Sequence, residues 1–456
     1  MSKFVRADGR VIYTQTSLTR EQKEAVGLLS LGTFLEYFDI MLYVHMAILL
    51  NELFFPKYDP YTTSLLSAAT FCSTYVFRPF GALIIGWIGD NIGRRATVVI
   101  TTFMMSISCI TMANLPTYAQ IGITASVLMI ICRIVQGMSS MGEVIGAELY
   151  LTETIAPPAQ YPAVAVVTVF ATLGGGTFAL GIASLVTSFG FNWRIAFLVG
   201  AVVAVIGSLA RTTLRETPEF ADAKRQLKTS LEKANEDPKS LENHPLLQEK
   251  IAKKTFLAYF LIECSWPAIF YFIYVYCADI LKDSFGYTAE QVIHQNFIVS
   301  IVNLLGFIVL TYLSSRIYPL KILKVKLVVF IIFAISCPYL LDSLRNPLDV
   351  LLLQAIVILF ISDSLPAAPI FYKHFPVFKR FTCTTLIYAL SRAFMYVIVS
   401  FGLIYLTEYF GHWGLLMLFC LISLGFAFGL FHFEKLGKKG NDPQGIPNVD
   451  LVAKTI

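Results

Sequence analysis

The stretch Gly86-Trp87-Ile88-Gly89-Asp90-Asn91-Ile92-Gly93-Arg94-Arg95 sets an aspartate and two adjacent arginines on a glycine-rich turn, with apolar sequence of membrane-spanning length on either side. A bilayer core is crossed by roughly 20 apolar residues in a helix, so the cluster reads as a tight polar turn between two spans. Gly86 and Gly93 permit close helix approach and a sharp turn. Asp90 is suited to engage a helix end or a nearby base, and Arg94 with Arg95 to anchor the cytoplasmic side. Together they form a candidate latch that closes in one state and breaks in another. A second cluster runs from Ile131-Cys132-Arg133 through Gln136-Gly137 to Gly142-Glu143. It places an arginine and a glutamate inside one span, where ionisable groups are expensive and mark a path for ions or substrate.

The rest of the chain agrees. Its 456 residues are 56% hydrophobic and 14% charged, with a mean hydropathy of +0.68, which excludes an ordinary soluble protein. Spans are expected at about 25–50, 62–89, 97–114, 122–152, 161–188 and 193–211, then at about 254–281, 292–314, 321–341, 348–371, 381–406 and 412–433. A β-barrel would instead alternate polar and apolar residues over about ten positions. The expected fold is therefore all-α, with twelve transmembrane helices in two six-helix bundles. A polar segment at 1–24 precedes the first bundle (25–211), a linker occupies 212–253, and a tail at 434–456 follows the second bundle (254–433).

Lysine and arginine placement orients the spans. Of 35 such residues, only Lys57, Arg194, Lys282 and Arg345 fall in outer segments, while Arg78, Arg133 and Arg392 lie within spans. Cytoplasmic loops hold the excess of these residues, so both termini are expected in the cytoplasm. The net charge of +5 reflects that asymmetry and gives no sign of nucleic-acid binding. The eight cysteines show no C-x-x-C spacing and read as reduced core residues.

The Gly86–Arg95 cluster resembles the charged loop of the major facilitator superfamily, with Asn91 at a usually basic position. Over residues 27–220 the resemblance sharpens toward its metabolite:proton symporter branch, which includes proline/betaine, α-ketoglutarate, citrate and shikimate carriers. It rests on Leu35-Glu36-Tyr37-Phe38-Asp39 with Tyr43, on Phe54-Phe55-Pro56 with Asp59-Pro60, and on Arg78-Pro79-Phe80-Gly81. Arg133, Gln136-Gly137, Ser139 and Gly142-Glu143 continue it, and Trp193–Phe197 and Arg215–Phe220 close it. The second half matches less well: where the family repeats its charged loop, Thr311–Leu320 keeps only Arg316. The resemblance implies transport by alternating access and a bacterial inner (cytoplasmic) membrane.

Glu36 and Asp39 share one face of the first helix, with Tyr43 one turn beyond Asp39. Two clustered, desolvated acids repel one another, which suits the pair to proton coupling; they titrate jointly, so the proton belongs to the pair rather than to either acid, and Glu143 joins them as a motif-matched acid. Arg133, always charged, needs an anionic partner or a substrate carboxylate, and Gln136 shares its face; with Tyr43 they are candidate substrate contacts. Glu148 is expected to approach the cytoplasmic side with Glu143. In the seventh span Glu263, Trp266-Pro267, Tyr271 and Tyr274 suggest a broken helix whose rings could enclose a quaternary ammonium, which makes Trp266 and Tyr271 further substrate candidates. Arg78, Glu148, Glu263, Asp363 and Arg392 are the other intramembrane charges, with Asp363 and Arg392 a possible mutual pair.

No Walker loop and no nucleophile–base motif is visible, so neither an enzyme, a cofactor nor a metal is expected. The expected activity is proton-coupled symport of a small carboxylate-bearing metabolite, a zwitterion such as proline or betaine first and a di- or tricarboxylate second. The expected partners are that small molecule, protons and the lipid bilayer, with the carrier a monomer. A proton-independent facilitator or exchanger, or a transport-inactive receptor or scaffold on the same fold, is the alternative.

Overall fold

The computed structural model describes residues 2–5, 11–45, 50, 53–55, 75–182, 185, 192–212, 214–225 and 249–438. Among the described residues, the long helices of the amino-terminal half are α1 (Arg20–His45), α2 (Arg78–Asn91), α3 (Arg94–Asn114), α4 (Ile123–Thr154), α5 (Gln160–Ile182) and α6 (Arg194–Arg211). The carboxy-terminal half contributes α7 (Lys253–Phe285), α8 (Ala289–Ser314), α9 (Pro319–Asp342) and α10 (Pro347–Leu359). It ends in α11 (Val377–Val397), prolonged by Ile398–Gly402 and Leu403–Phe410, and in α12 (Trp413–Lys438).

Local chemistry sets the helix ends. At the start of α8, Thr288 Oγ1 accepts from the Gln291 backbone N–H at 3.3 Å, and Gln291 Oε1 accepts in return from the Thr288 N–H at 2.9 Å, which satisfies two orphan donors. Pro319 and Pro347 begin α9 and α10, where a missing N–H is harmless. α7 stops where Tyr287 N–H reaches back to the Leu281 carbonyl at 3.0 Å. Ordinary α-geometry gives way to π-turns at Leu173–Phe178 in α5 and Phe272–Tyr276 in α7.

Six helices among the described residues are long and apolar enough to cross a membrane: α3, α4, α5, α7, Gln291–Ser314 within α8, and α12. Their outer faces leave Ile107, Leu421 and Leu424 more than half exposed, an apolar exterior that suits lipid rather than water. The departure from all-helical structure among the described residues is a short antiparallel ladder, β1 (Ser2–Val5) against β2 (Val11–Thr14), pairing Ser2 with Thr14.

Within the amino-terminal half α3 packs against α4 and α6, and α1 against α5; in the other half α12 lies along α7 and α9. The two halves meet where α2 runs along α11 and α5 along α8. These seams enclose a charged network at one end of the molecule and a cavity above it.

Candidate functional site: a charged network below a central cavity

Asp90, at the end of α2, accepts the backbone N–H groups of Phe381 and Thr382 in α11 at 3.0 and 2.8 Å. Arg94, 0% exposed, gathers the neighbouring groups. It donates to Asp90 Oδ1 at 3.1 Å, to both carboxylate oxygens of Glu153 at 3.0 Å, and to the Val377 carbonyl at 2.7 Å. Arg380, equally buried, donates to Glu153 at 3.1 Å and to Glu219 at 2.9 Å. Thr217 Oγ1 adds a 2.8 Å bond to Glu153. Glu216 accepts the backbone N–H groups of Arg94 and Arg95 at 3.0 and 3.3 Å, at the first turn of α3, the end where the helix dipole favours an anion. The Arg95 guanidinium donates to the Thr212 carbonyl at 2.6 Å.

Two glycines make this end possible. A Cβ on Gly86 would stand 2.6 Å from the Thr382 Cα, so only glycine lets α2 and α11 touch there. Gly93, at φ +148°, lies where L side chains are strained, and its missing Cβ leaves room for the Glu216 carboxylate. The buried charges pair with one another across both halves, the condition under which buried ions are tolerated. This end of the molecule is closed.

Above it lies a cavity of about 300 Å³. α1 contributes Thr33, Tyr37 and Met41, and α4 contributes Val144, Ile145 and Glu148. From the other half come Glu263, Trp266, Phe270 and Tyr274 of α7, Asn296 and Asn303 of α8, and Tyr388 and Arg392 of α11. Trp266, Phe270 and Tyr274 recur every fourth residue, so their rings form one ladder, with centroid separations of 6.3 and 4.9 Å. Asp363 reaches the cavity from the non-helical stretch between α10 and the short helix Ala368–Tyr372. Irregular backbone at membrane depth is tolerated where it lines such a space.

The pairing of charges differs from the expected Asp363–Arg392 contact. Arg392 Nη1 donates to Glu263 Oε2 at 2.8 Å and to the Glu263 carbonyl at 2.6 Å, with its guanidinium 4.0 Å from the Tyr388 ring centre. Asp363 pairs instead with Lys326 of α9 at 2.6 Å. Helix rotation explains the difference: Lys326 lies on the inward stripe of Ile322, Phe330, Phe333 and Cys337, all buried. Glu148 also departs from expectation. Rather than reaching the charged end, it faces the cavity and accepts a hydrogen bond from the Tyr372 hydroxyl of the other half.

The remaining candidates are dispersed. Trp266 lines the cavity, whereas Tyr271 turns to a separate hollow with Tyr276, Asp279 and Asp283. Arg133, Gln136 and Tyr43, the expected substrate contacts, lie away from the lining of the central cavity. They form a buried cluster between α1 and α4, in which Arg133 donates to Gln136 at 2.9 Å and lies 4.0 Å over the Tyr43 ring. The physical reason is depth: Arg133 and Glu148 are separated by about 22 Å along α4. Arg78 is buried against the Tyr75 ring at 4.7 Å. The side chains of Glu36, Asp39 and Glu143 lie outside the described residues. Sequence reading passed over Glu153, Arg380, Lys326 and Tyr372. The inward stripe of α9 was a usable signal for Lys326, whereas nothing local marks Tyr372.

Comparison with known proteins adds family and fold. A family model described as the Major Facilitator Superfamily matches residues 29–372. The inner membrane metabolite transport protein YhjE of Escherichia coli is 38% identical over 216 residues, 44% of this chain and 48% of that protein. The proline/betaine transporter of the same organism is 33% identical over 205 residues, 43% of this chain and 41% of its own length. The chain thus spans about half the length of the curated relatives it matches. Among solved structures, the proton:xylose symporter XylE superposes with a TM-score of 0.72 at 14% identity, covering 91% of this chain and 95% of that one. The human organic anion transporter MFSD10 gives 0.64 at 17% identity, covering 91% and 100%. At these identities the likeness to solved structures is one of fold.

Proposed function

Because this chain belongs to the major facilitator superfamily, we propose that it is a secondary active transporter carrying a small carboxylate-bearing metabolite together with protons. In this reading it has twelve spans in two six-helix bundles that rock about a central site. It works as a monomer in a bacterial inner membrane, with both termini and the charged end facing the cytoplasm. The relatives named as metabolite and proline/betaine transporters support a metabolite as cargo.

The observation that carries the substrate class is the charge and lining of the central cavity. Among the described residues, Glu148, Glu263 and Asp363 face Arg392 and Lys326, beside the ladder of Trp266, Phe270 and Tyr274. A quaternary or secondary ammonium gains from the aromatic faces, whereas a di- or tricarboxylate would add like charge beside Glu263 and Asp363. A zwitterion such as proline or betaine therefore fits first. Trp266 is the proposed substrate contact among the earlier candidates. Glu36, Asp39 and Glu143 remain the proposed coupling acids. Arg133, Gln136 and Tyr43 act on the same stretch of α1 from behind, since Tyr43 is one turn from Asp39.

Uptake into proteoliposomes under an inward proton gradient tests the reading. Radiolabelled betaine or proline is expected to accumulate above equilibrium, and a protonophore to abolish that accumulation. Accumulation that survives the protonophore points to a facilitator or exchanger. Uptake of citrate or α-ketoglutarate in place of the zwitterions reverses the substrate order, and failure to bind or move either class leaves a receptor or scaffold.

A further inference from the structure

Among the described residues, Glu148 differs from every other charged group lining the cavity. Glu263 is neutralised by Arg392 at 2.8 Å and Asp363 by Lys326 at 2.6 Å. Glu148, only 6% exposed, forms no ion pair with any lysine or arginine among the described residues; its partner is the Tyr372 hydroxyl. That bond joins α4 of the amino-terminal half to the short helix Ala368–Tyr372 of the other, at positions 224 apart in sequence. Five residues further along α4, about 7.5 Å by the helical rise, Glu153 enters the closed network with Arg94 and Arg380. One helix therefore carries both a carboxylate open to the cavity and the anion at the centre of the closed end.

We infer that Glu148 is a proton-binding site of the transport cycle, and that its bond from Tyr372 is a bridge between the halves that protonation loosens. This rests on the carrier reading above and adds Glu148 to Glu36, Asp39 and Glu143 as a group on the path of the transported proton. Among the described residues, the titratable and charged groups turned toward Glu148 are Tyr37 from α1, Tyr259 and Glu263 from α7, Asp363 beyond α10, Tyr372 itself, and Tyr388 and Arg392 from α11. Arg392 is the cation among them, and it is already held by Glu263. When ionised, Glu148 accepts a charge-assisted bond, about twice as strong as a neutral one. A proton arriving through the cavity from the outer water binds a Glu148 carboxylate oxygen, and the bond to Tyr372 becomes neutral and weaker. The halves then part at the charged end. There the proton leaves Glu148 for cytoplasmic water, and the carboxylate is restored to recapture Tyr372.

Cys383, buried in α11 beside the closed end, supplies a reporter once the other cysteines are replaced by alanine. Its labelling by a membrane-impermeant maleimide, applied from the charged-end side of the reconstituted protein, measures opening there. In the parent protein labelling should quicken about ten-fold between mildly alkaline and mildly acidic buffer, the change expected when a charge-assisted bond becomes neutral. In Glu148→Gln the amide oxygen still accepts from Tyr372 but binds no proton, so the pH response should vanish and zwitterion accumulation should no longer follow the proton gradient. Tyr372→Phe, which leaves Glu148 intact, should label fast at both pH values. A wild-type pH response in either variant overturns the proposal, and Tyr372→Phe decides alone should Glu148→Gln fail to fold. If the parent protein shows no gradient-driven uptake, the symport reading fails separately, because the labelling does not depend on transport.

Discussion

Lys326 and Asp363 face each other at 2.6 Å, each less than 10% exposed, in a setting where an ammonium or a carboxylate alone is costly. Removing one partner of such a pair typically destabilises by about 3–5 kcal/mol, while replacing both with apolar residues is often neutral. Lys326→Met should accordingly lower the melting temperature in detergent, and the double variant Lys326→Met/Asp363→Leu should recover most of the loss. A double variant as unstable as the single would show that the pair is not what holds this region. The same comparison separates stability from transport, since the double variant also removes a cavity carboxylate and should alter uptake even when its folding is restored.

At the scale of the element, α2 and α11 touch because Gly86 has no side chain and because Asp90 caps backbone groups of α11. Gly86→Val places carbon atoms against the Thr382 backbone, and overpacking of this kind costs about 1–3 kcal/mol, here only while the charged end is closed. Asp90→Asn keeps the shape and removes the charge, forfeiting part of a contact worth roughly 1.5–3 kcal/mol. Both should shift the population toward a state open at the charged end, since carrier states separated by a few kcal/mol respond to changes of this size. Spin-label distances between the charged ends of α2 and α11 would report the shift. Unchanged distances in both variants would remove the latch from the mechanism.

For the whole molecule, the proposed symport has an electrical consequence. A zwitterion accompanied by one proton carries a single net positive charge, so transport should be electrogenic and quickened by an inside-negative potential, worth about 2.3 kcal/mol per elementary charge at 100 mV. Currents from proteoliposomes on a solid-supported membrane should therefore be inward and positive on addition of betaine or proline. An electroneutral response would exclude this stoichiometry, and a negative inward current would indicate an anionic cargo.

The membrane class and the helical architecture were legible in the sequence because both depend on local quantities: the length of apolar runs, the absence of strand alternation and the glycine-rich charged turn at Gly86–Arg95. Those runs and the ordered motifs around Glu36, Arg133 and Trp193 carried the family resemblance as well. Which charge meets which was decided only by tertiary structure. Asp363 meets Lys326 across 37 positions, Arg392 meets Glu263 across 129, and Glu148 meets Tyr372 across 224. Lys326 stood among flanking lysines in the sequence, yet the rotation of α9 turns it inward while Lys324 reaches Glu434. Arg133 was conspicuous for its charge, yet its depth on α4 sets it against Tyr43 rather than in the cavity lining. Hydropathy determines that a charge is buried, but its partner depends on the depth and rotation at which helices from the two halves pack together.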